Sequence, residues 1–467
     1  MNVRTLLFLL LLPTLALAAD QSSPEYKHKD YFEHYEGTKT CLQCHQKEAE
    51  CVFRSQHYQW KGAATHISNA KGRLLGKMNT INDFCTNPGG ANWIGLIKNK
   101  EDEVITRGCS ACHAGLGEKP SETMTRAQLE NIDCLQCHAS GYRRDVYEKK
   151  GGGWEWKPIL WQNQEGLDSV SKRISLPKRV MCLRCHASSG GGANYKRGDI
   201  EYVLANTDRD YDVHMGTDGV SFECIQCHRG EDHRIKGRGS DLSANDVAST
   251  LRCEDCHGQS PHRTNADLNR HTARVNCTVC HIPTFARTDP TDMFRDWSKP
   301  EYHQDTDRYT ATIQFGKDVA PAYTWFNGNT REQFLGEPLK KDGAGNIEMM
   351  VPEGSRADDA SKIFAFKVHR AKLPVLDGKG WVIPIDVEEF FQNGELDHAV
   401  KAAAESDYGV KNASYQFQPT IRYMGIFHGV RPAKYALGCK DCHGANSRMD
   451  WKQLGYGSDP AGAGVKQ

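Results

Sequence analysis

The main apolar run of the chain lies at its start. A short basic segment, residues 1–4, precedes the run Leu6–Leu17, and the small residues of Ala16-Leu17-Ala18 close it. This order is typical of a secretory signal peptide that is removed after residue 18. A membrane anchor is the weaker alternative, because the run is shorter than the ~20 residues that span a bilayer. We therefore expect an exported, periplasmic protein with no membrane span in its mature form.

Polar residues dominate the next part of the chain, and the elements that it predicts are short. Residues 20–40 are polar and indicate a loosely held lead-in. Thr125-Arg-Ala-Gln128 has the spacing of a capping box and predicts a short helix that runs towards Cys134. Two glycine triplets, Gly151–Gly153 and Gly190–Gly192, mark loops.

The pattern changes in the C-terminal section. Two apolar segments, Ile363–Val368 and Trp381–Ile385, predict strands that are joined through the turn-prone pair Asp377-Gly378. Asp386 then has the position of an N-cap, with Glu389 three residues later and helical apolar periodicity after it. Taken together, the patterns predict a mainly α fold with much irregular structure and a small β-containing C-terminal section.

One five-residue pattern, Cys-x-x-Cys-His, recurs eight times. It is typical of c-type haem attachment, because two thiols three positions apart can each bond one vinyl group of a porphyrin. The histidine then reaches the iron as its proximal ligand. The eight pentads comprise Cys41, Cys44 and His45; Cys109, Cys112 and His113; Cys134, Cys137 and His138; Cys182, Cys185 and His186; Cys224, Cys227 and His228; Cys253, Cys256 and His257; Cys277, Cys280 and His281; and Cys439, Cys442 and His443.

Zinc sites and redox-active dithiols also use C-x-x-C, so a single pentad would be a modest signal. Zinc ribbons have no reason to place histidine after every second cysteine, and disulfide frameworks do not repeat one invariant spacing. The eight pentads therefore indicate an octahaem cytochrome c with eight covalently bound haem c groups, which form the centre of a multihaem cytochrome c fold.

The pentads divide the mature chain into two parts. Seven of them lie within residues 19–283, whereas residues 284–467 contain only the eighth. We expect this haem-poor section to fold back onto the heptahaem part and to deliver its haem within the same compact unit.

Composition narrows the possible partners. The 59 Lys and Arg residues balance the 59 Asp and Glu residues, which gives no support for binding to nucleic acid or to a membrane through a polybasic patch. Hydrophobic residues make up only 38% of the chain, and eight porphyrins can supply the missing apolar surface. We expect side chains to pack around haems more than around one another, so that loss of haem unfolds the chain.

Each haem that only transfers electrons requires a second axial ligand, usually His or Met. The chain has 20 His and only 10 Met, so bis-His ligation is expected, with low potentials relative to His/Met ligation. The candidates are the twelve histidines outside the pentads, namely His28, His34, His57, His66, His214, His233, His262, His271, His303, His369, His398 and His428.

Two cysteines, Cys51 and Cys85, lie outside the pentads. In an oxidising compartment they could form one disulfide. The alternative is a free or modified sulfur beside an active haem. The polar, glycine-rich stretch Asn82–Trp93 around Cys85 is more typical of a site loop than of a core strand.

Several segments between the pentads are distinctive. They are Lys77-Met-Asn-Thr-Ile-Asn-Asp-Phe-Cys85, Asn131-Ile-Asp-Cys134, Gly190-Gly-Gly192 with Gly198-Asp199, Asp212-Val-His-Met215, Asn269-Arg-His271 through His281-Ile-Pro283, and Phe427-His-Gly429. On these segments the chain, from about Cys41 to Gly457, resembles the octahaem tetrathionate reductase family of multihaem cytochromes c.

The resemblance implies a periplasmic reductase of tetrathionate, nitrite or hydroxylamine, supplied with electrons by a quinol-linked or periplasmic cytochrome donor. In this family the haem of the second pentad has lysine opposite its histidine and lies beside a cysteine. The implied catalytic haem is held here by Cys109, Cys112 and His113, with Cys85 as the neighbouring sulfur. The other seven haems would be bis-His ligated, and the implied distal ligands are His57, His66, His214, His233, His262, His271 and His428.

The family's lysine falls shortly after the third pentad, where this chain departs from the pattern. Arg143 and Arg144 stand at the expected place, and arginine remains protonated and cannot bind iron. Lys149 and Lys150 are the nearest substitutes, and an open haem is the alternative if neither of them binds. Arginine or Asp145 near this haem could supply charge stabilisation or protons to a substrate such as nitrite.

Two other functions are compatible with the same pentads. A pure electron carrier, or wire, would have eight bis-His haems, and twelve spare histidines suffice for that. A haem that binds an added ligand distinguishes the reductase from the wire. An oxidase of hydroxylamine or hydrazine would require a crosslink between haem and tyrosine, which the mass of haem peptides would reveal.

Overall fold

The computed structural model describes residues 26–28, 30–89, 93–94, 97–98, 104–159, 166–237, 243–304 and 306–462. The predicted signal peptide, residues 1–18, lies outside this part of the chain. None of the helices within the described ranges is long and apolar enough to cross a membrane.

Helices are short throughout the described chain, and the longest, α12, has 13 residues. Three 3-10 turns accompany them, at Cys109–Ala111, Tyr202–Ala205 and Ala433–Tyr435. The α-helices are α1 (Thr38–Cys41), α2 (Gln46–Phe53), α3 (Arg126–Glu130), α4 (Leu135–His138), α5 (Leu167–Ser171), α6 (Arg179–His186), α7 (Cys224–Cys227), α8 (Glu254–His257), α9 (Ala266–His271), α10 (Cys277–His281), α11 (Val387–Asn393), α12 (Leu396–Tyr408) and α13 (Cys439–Cys442).

The first ten strands form two-stranded ladders that pair β1 with β8, β2 with β3, β4 with β5, β6 with β7 and β9 with β10. Each ladder fixes only a local turn or joins two distant segments. Their bounds are β1 (Tyr26–Lys27), β2 (Lys61–Gly62), β3 (Leu75–Gly76), β4 (Ile97–Lys98), β5 (Val104–Thr106), β6 (Arg144–Glu148), β7 (Trp154–Pro158), β8 (Arg173–Ile174), β9 (Gly230–Glu231) and β10 (Arg234–Ile235).

The remaining eight strands form one mixed sheet in the C-terminal section. Its order is β12-β11-β16-β18-β15-β14, and β13 and β17 also pair with β16. The pairs β11–β16 and β15–β18 are parallel, and the others are antiparallel. The strands are β11 (Thr291–His303), β12 (Arg308–Gly316), β13 (Ala322–Phe326), β14 (Thr330–Glu332), β15 (Ile347–Pro352), β16 (Lys362–Leu376), β17 (Trp381–Val382) and β18 (Tyr415–Gly425).

The local predictions for the C-terminal section are confirmed, but the predicted fold class is not. β16 and β17 pair as a hairpin across Asp377-Gly378, and the Asp386 side chain caps α11 by accepting from the backbone N–H of Glu388. Thr125 likewise caps α3. However, the largest element is an eight-stranded sheet, so the chain is not mainly α, and its β section is not small.

The sheet has a conventional hydrophobic core. One face packs against α11 and α12, and the buried residues there include Trp297, Leu373, Phe390 and Val400. In contrast, the clusters before residue 280 are small, for example the six residues around Phe53. The expectation that side chains pack around haems more than around one another therefore does not extend to the C-terminal sheet.

The C-terminal sheet holds a turn that contains Cys85. The backbone N–H groups of Cys85 and Thr86 bond to the carbonyl of Asn82, which closes the turn. Three side chains from two strands, β11 and β18, donate hydrogen bonds to its carbonyl groups. Trp297 Nε1 donates to Asp83 O over 2.8 Å, Arg422 Nη2 donates to Ile81 O over 3.0 Å, and Arg295 donates to Phe84 O.

A buried charge cluster completes this attachment. His369 lies between two carboxylates, with Nδ1 2.5 Å from Asp83 Oδ2 and Nε2 3.2 Å from Asp292 Oδ1. Arg422 pairs with Asp83, and Arg295 pairs with Asp292. Against the cost of burial, Arg422 and His369 hold the pKa of Asp83 well below its usual range. An ionised carboxylate only accepts hydrogen bonds, so each ring nitrogen of His369 lies against an acceptor.

The cluster generates a stability prediction. Asp83→Asn should lower the free energy of unfolding by about 3–5 kcal/mol, because it removes the buried negative charge that pairs with the Arg422 guanidinium. Chemical denaturation followed by far-UV circular dichroism measures the change. Asp397→Asn breaks the exposed pair with Lys401 and is the matched control, which should have little effect. Equal stability of Asp83→Asn and the wild type would contradict the role of the cluster.

Candidate haem sites and catalytic centre

Each pentad lies on or beside a single helical turn. Six pentads overlap the helices α4, α6, α7, α8, α10 and α13, the first begins at the end of α1, and the second contains the turn Cys109–Ala111. Residues three and four positions apart share one face of a helix. The two thiols and the histidine of a pentad are therefore presented on the same side, as attachment to one porphyrin requires.

Seven pentad histidines face a second histidine across a nearly constant gap. The ring centroids lie 6.0–6.3 Å apart in every pair, although the angle between the ring planes varies from 12° to 71°. The pairs are His28–His45, His57–His186, His138–His233, His214–His257, His228–His428, His262–His281 and His271–His443.

The gap fits one iron atom between two imidazoles. Metal–nitrogen distances of about 2.0–2.1 Å, with about 1.1 Å more from each nitrogen to its ring centre, give a separation of about 6.2 Å. Ring stacking would fix the interplanar angle instead, and that angle is not constant. Within the described ranges, no three His, Cys, Asp or Glu side chains converge as they would around a bare metal ion. The donor set therefore fits haem.

The protonation state of two pentad imidazoles, His186 and His228, also fits a metal. Burial lowers the pKa of His186 and of His228 to about 4. The rings are consequently neutral near pH 7, and the neutral imidazole is the form that binds iron.

The structure brings six of the seven distal histidines implied by the resemblance to a pentad histidine, all except His66. The Nε2 atom of His66 lies 2.6 Å from the carbonyl oxygen of Ala248, and the ring opposite His45 is that of His28. His28 follows β1, whose pairing with β8 continues in a hydrogen bond from its backbone N–H to Lys172 O. The polar composition of residues 20–40 predicts a loosely held segment here. The pairing of β1 with β8 is what positions the His28 ring.

The second pentad is different from the other seven. The aromatic ring against His113 is that of Trp93, in an edge contact with centroids 5.0 Å apart. Burial and the charge of Lys77 lower the pKa of His113 to about 3. Instead of a facing histidine, His113 has Lys77 close enough to interact with it electrostatically.

Lys77 lies beside the sulfur atoms of the second pentad and of the Cys85 turn. Its side chain is exposed, and it interacts with the thiols of Cys85, Cys109 and Cys112. Burial lowers the pKa of Lys77, but those three sulfurs outweigh burial and raise it. Attachment of a haem would convert Cys109 and Cys112 into neutral thioethers, and burial would then favour the neutral amine.

The predicted lysines lie elsewhere. Lys149 forms an ion pair with Glu118, with Nζ and Oε1 2.6 Å apart, and Lys150 is exposed. Lys77, rather than either of them, is the lysine beside Cys109 and Cys112. One signal in the sequence could have identified it, because Lys77 begins the distinctive segment that ends at Cys85.

The charged residues after the third pentad support the second pentad from its backbone side. Arg144 is buried in an ion pair with Asp133 and donates to the carbonyl oxygens of Ser110, Ala111 and His113. Asp145 pairs with Arg107 instead, and this pair lowers its pKa. Arg144 therefore orients the pentad, and its guanidinium is committed to these partners.

Cys51 and Cys85 are both free thiols in the structure. Cys51 lies on α2, whereas Cys85 belongs to the turn that the sheet holds near Lys77. Of the two alternatives for these cysteines, the geometry brings Cys85 to the second pentad as a separate sulfur.

Cysteines of different pentads lie close together and link the haem sites in a series. The closest pairs, in which one thiol shifts the pKa of the other, are Cys41 and Cys134, Cys112 and Cys185, Cys182 and Cys224, and Cys253 and Cys277. Electrostatic interactions also connect the thiols of Cys137 and Cys182, of Cys227 and Cys256, and of Cys280 and Cys442. The resulting series of pentads is 1-3-4-5-6-7-8, and the second branches from the fourth.

Comparisons with known proteins agree with this arrangement. A sequence family described as bacterial cytochrome c matches residues 292–446. An uncharacterized protein of Archaeoglobus fulgidus is 36% identical over 233 residues, which cover 43% of this chain and 75% of that protein.

A solved structure matches almost the whole chain. It is the crystal structure of octaheme cytochrome c from Shewanella oneidensis, which is 30% identical in sequence and superposes with a TM-score of 0.74. The match covers 93% of this chain and 97% of the Shewanella chain. The eight pentads, the seven histidine pairs and this similarity lead to one conclusion: the chain belongs to the octahaem cytochromes c.

Proposed function

We propose that this cytochrome is a multi-electron reductase of a small inorganic acceptor, with its catalytic centre at the second pentad. The observation that carries the proposal is the difference between His113 and the other seven pentad histidines. Seven have a facing imidazole, whereas His113 has Lys77 and the Cys85 turn nearby. Tetrathionate, nitrite and hydroxylamine are the acceptors that the family resemblance favours.

The haem iron, when bound there, would supply the electrons and the position at which an acceptor binds. Lys77 would control access to that position. Only a neutral amine can bind a metal, so protonation of Nζ competes with coordination. A lysine that leaves the metal becomes a cation and can then hold an anion or donate a proton to it.

The charge beside the second pentad favours anionic acceptors. Lys77, when protonated, is a cation next to the sulfur atoms of Cys85, Cys109 and Cys112. Preorganised charge in a site with little water attracts an anion and stabilises negative charge that develops there. A cationic Lys77 supports nitrite or tetrathionate over neutral hydroxylamine.

The seven paired sites would deliver electrons. Two imidazoles occupy both axial positions of such a haem, which leaves it to transfer electrons rather than to bind a substrate. The linked series of pentads gives electrons a continuous route to the fourth site, from which the second branches. An electron carrier with no catalytic centre remains the alternative function, and the seven pairs by themselves favour it.

The location and the donor are part of the same proposal. The basic and apolar start, residues 1–18, supports export, and covalent haem attachment suits the periplasm. A quinol-linked or periplasmic cytochrome would supply electrons at one end of this series of pentads.

Ligand binding tests the proposed function. Electron paramagnetic resonance and visible spectra of the fully haemylated protein, recorded with and without nitrite, should show one haem in eight that changes. The reason is that only the second site has a displaceable ligand. Eight low-spin haems that are indifferent to nitrite would overturn the reductase and favour the carrier.

Lys77→Ala tests the proposed distal ligand. It should convert the signal of one haem from low spin towards high spin, because alanine leaves an axial position open. The visible and paramagnetic resonance spectra report the change. Lys149→Ala is the matched control and should leave both spectra unchanged, since its amine pairs with Glu118. The opposite result would return the ligand to Lys149.

Cys85→Ala tests the neighbouring sulfur. All eight haems should remain attached, as mass spectrometry will show, because Cys85 belongs to no pentad. Turnover of the acceptor should fall about 10²-fold, the lower range for loss of a group that moves a proton. Cys51→Ala controls for removal of a thiol away from the site. Unchanged turnover with nitrite and with tetrathionate would exclude a role for Cys85.

A further inference from the structure

The second ring nitrogens of the axial histidines have different partners. Carboxylates accept from His428 Nδ1 and His443 Nδ1, through Asp199 at 3.0 Å and Asp459 at 2.6 Å. Backbone carbonyls accept from others, including His228 Nδ1, which lies 3.0 Å from Lys236 O. The Nδ1 atoms of His57 and His262 have no hydrogen-bond partner among the described residues. These partners matter because a bonded carboxylate makes a ligand imidazole more basic.

Asp199 is the most enclosed of these partners. Its side chain is 0% exposed, compared with 20% for Asp459. Its Oδ2 atom also accepts from the backbone N–H groups of Phe427 and His428, and Oδ1 lies 3.3 Å from Nε of Arg197. A buried carboxylate beside a guanidinium stays ionised, and its field is screened less than that of an exposed one.

We infer that Asp199 is a positioning residue that fixes the ring of His428 and lowers the reduction potential of the haem at the fifth pentad. This role rests on the proposed function, in which His228 and His428 are the axial pair of an electron-transfer haem. The negative charge behind His428 stabilises ferric iron relative to ferrous iron. The site of His57 and His186, where His57 Nδ1 has no partner within the described chain, should have the higher potential.

The fifth site thereby becomes a low-potential step within the series. Cys224 interacts electrostatically with Cys182 of the fourth pentad, and Cys227 does so with Cys256 of the sixth. His228 and His428 would hold the haem that receives one electron here from a neighbouring reduced haem, and the proton would stay on Nδ1 of His428. The fourth site, from which the second branches, then lies downhill of the fifth. Electrons that pass the fifth site are consequently held near the catalytic branch.

Two substitutions with opposite expected signs test the role of Asp199 in the full haemylated protein. Asp199→Asn keeps the size of the side chain and removes its charge. Arg197→Gln removes the cation that offsets Asp199. The potential of one haem should rise in Asp199→Asn and fall in Arg197→Gln, as measured by redox titration with electron paramagnetic resonance. A tenfold change in the reduced-to-oxidised ratio corresponds to about 59 mV for one electron.

Three comparisons make the result decisive. Asp210→Asn removes a surface carboxylate that pairs with Lys434, and it should shift no haem. Asp459→Asn should raise the potential of a different haem, the one of the pair His271–His443. His428→Ala should abolish the signal that Asp199→Asn shifts.

The outcomes separate two claims: that His228 and His428 are an axial pair, and that Asp199 lowers the potential of their haem. If His428→Ala leaves that signal intact, the axial pair itself is wrong. If His428→Ala abolishes the signal but Asp199→Asn and Arg197→Gln shift its potential in the same direction, or not at all, the pair stands and the role of Asp199 is overturned. Simple damage to the fold would move both variants in one direction.

Discussion

The distance between facing imidazoles constrains the heptahaem part of this protein. Gaps of 6.0–6.3 Å recur in seven histidine pairs, and several of them, such as His228–His428 and His271–His443, join segments that are far apart in the chain. Short helices and two-stranded ladders suffice as scaffolding, because the haem supplies the packing. The second pentad depends on a different support. There an ordinary sheet with its own core and a buried charge cluster holds the turn of Cys85.

Features that depend on a few consecutive residues could be predicted from the sequence. The pentads are such a feature, and so are the hairpin across Asp377-Gly378 and the caps at Thr125 and Asp386. The sheet was underestimated for a physical reason. β11 carries Asp292, Arg295 and Asp296 in buried positions, where they pair with charged side chains of the sheet. Those charges interrupt the apolar alternation by which a strand is recognised.

Residues placed by distant contacts could not be found in this way. His28 reaches His45 only because β1 pairs with β8, and nothing near position 28 indicates that pairing. Lys77 has no chemical mark of its own that separates it from other lysines, which are mostly surface charges. The turn of Cys85 brings Cys85 close to Lys77. That turn depends on side chains more than 200 positions later, such as Arg295 and Trp297.

The wide spacing of the axial partners has a consequence for how the protein matures. Haem attachment needs only five consecutive residues, so it can precede folding. The facing imidazole for His228 is His428, and the one for His271 is His443, both near the end of the chain. These sites can therefore carry haem before the segment that contains their second histidine is in place. A prematurely ended chain would retain covalent haem with wrong or missing ligands, and the completeness of coordination would distinguish a finished molecule from an aborted one.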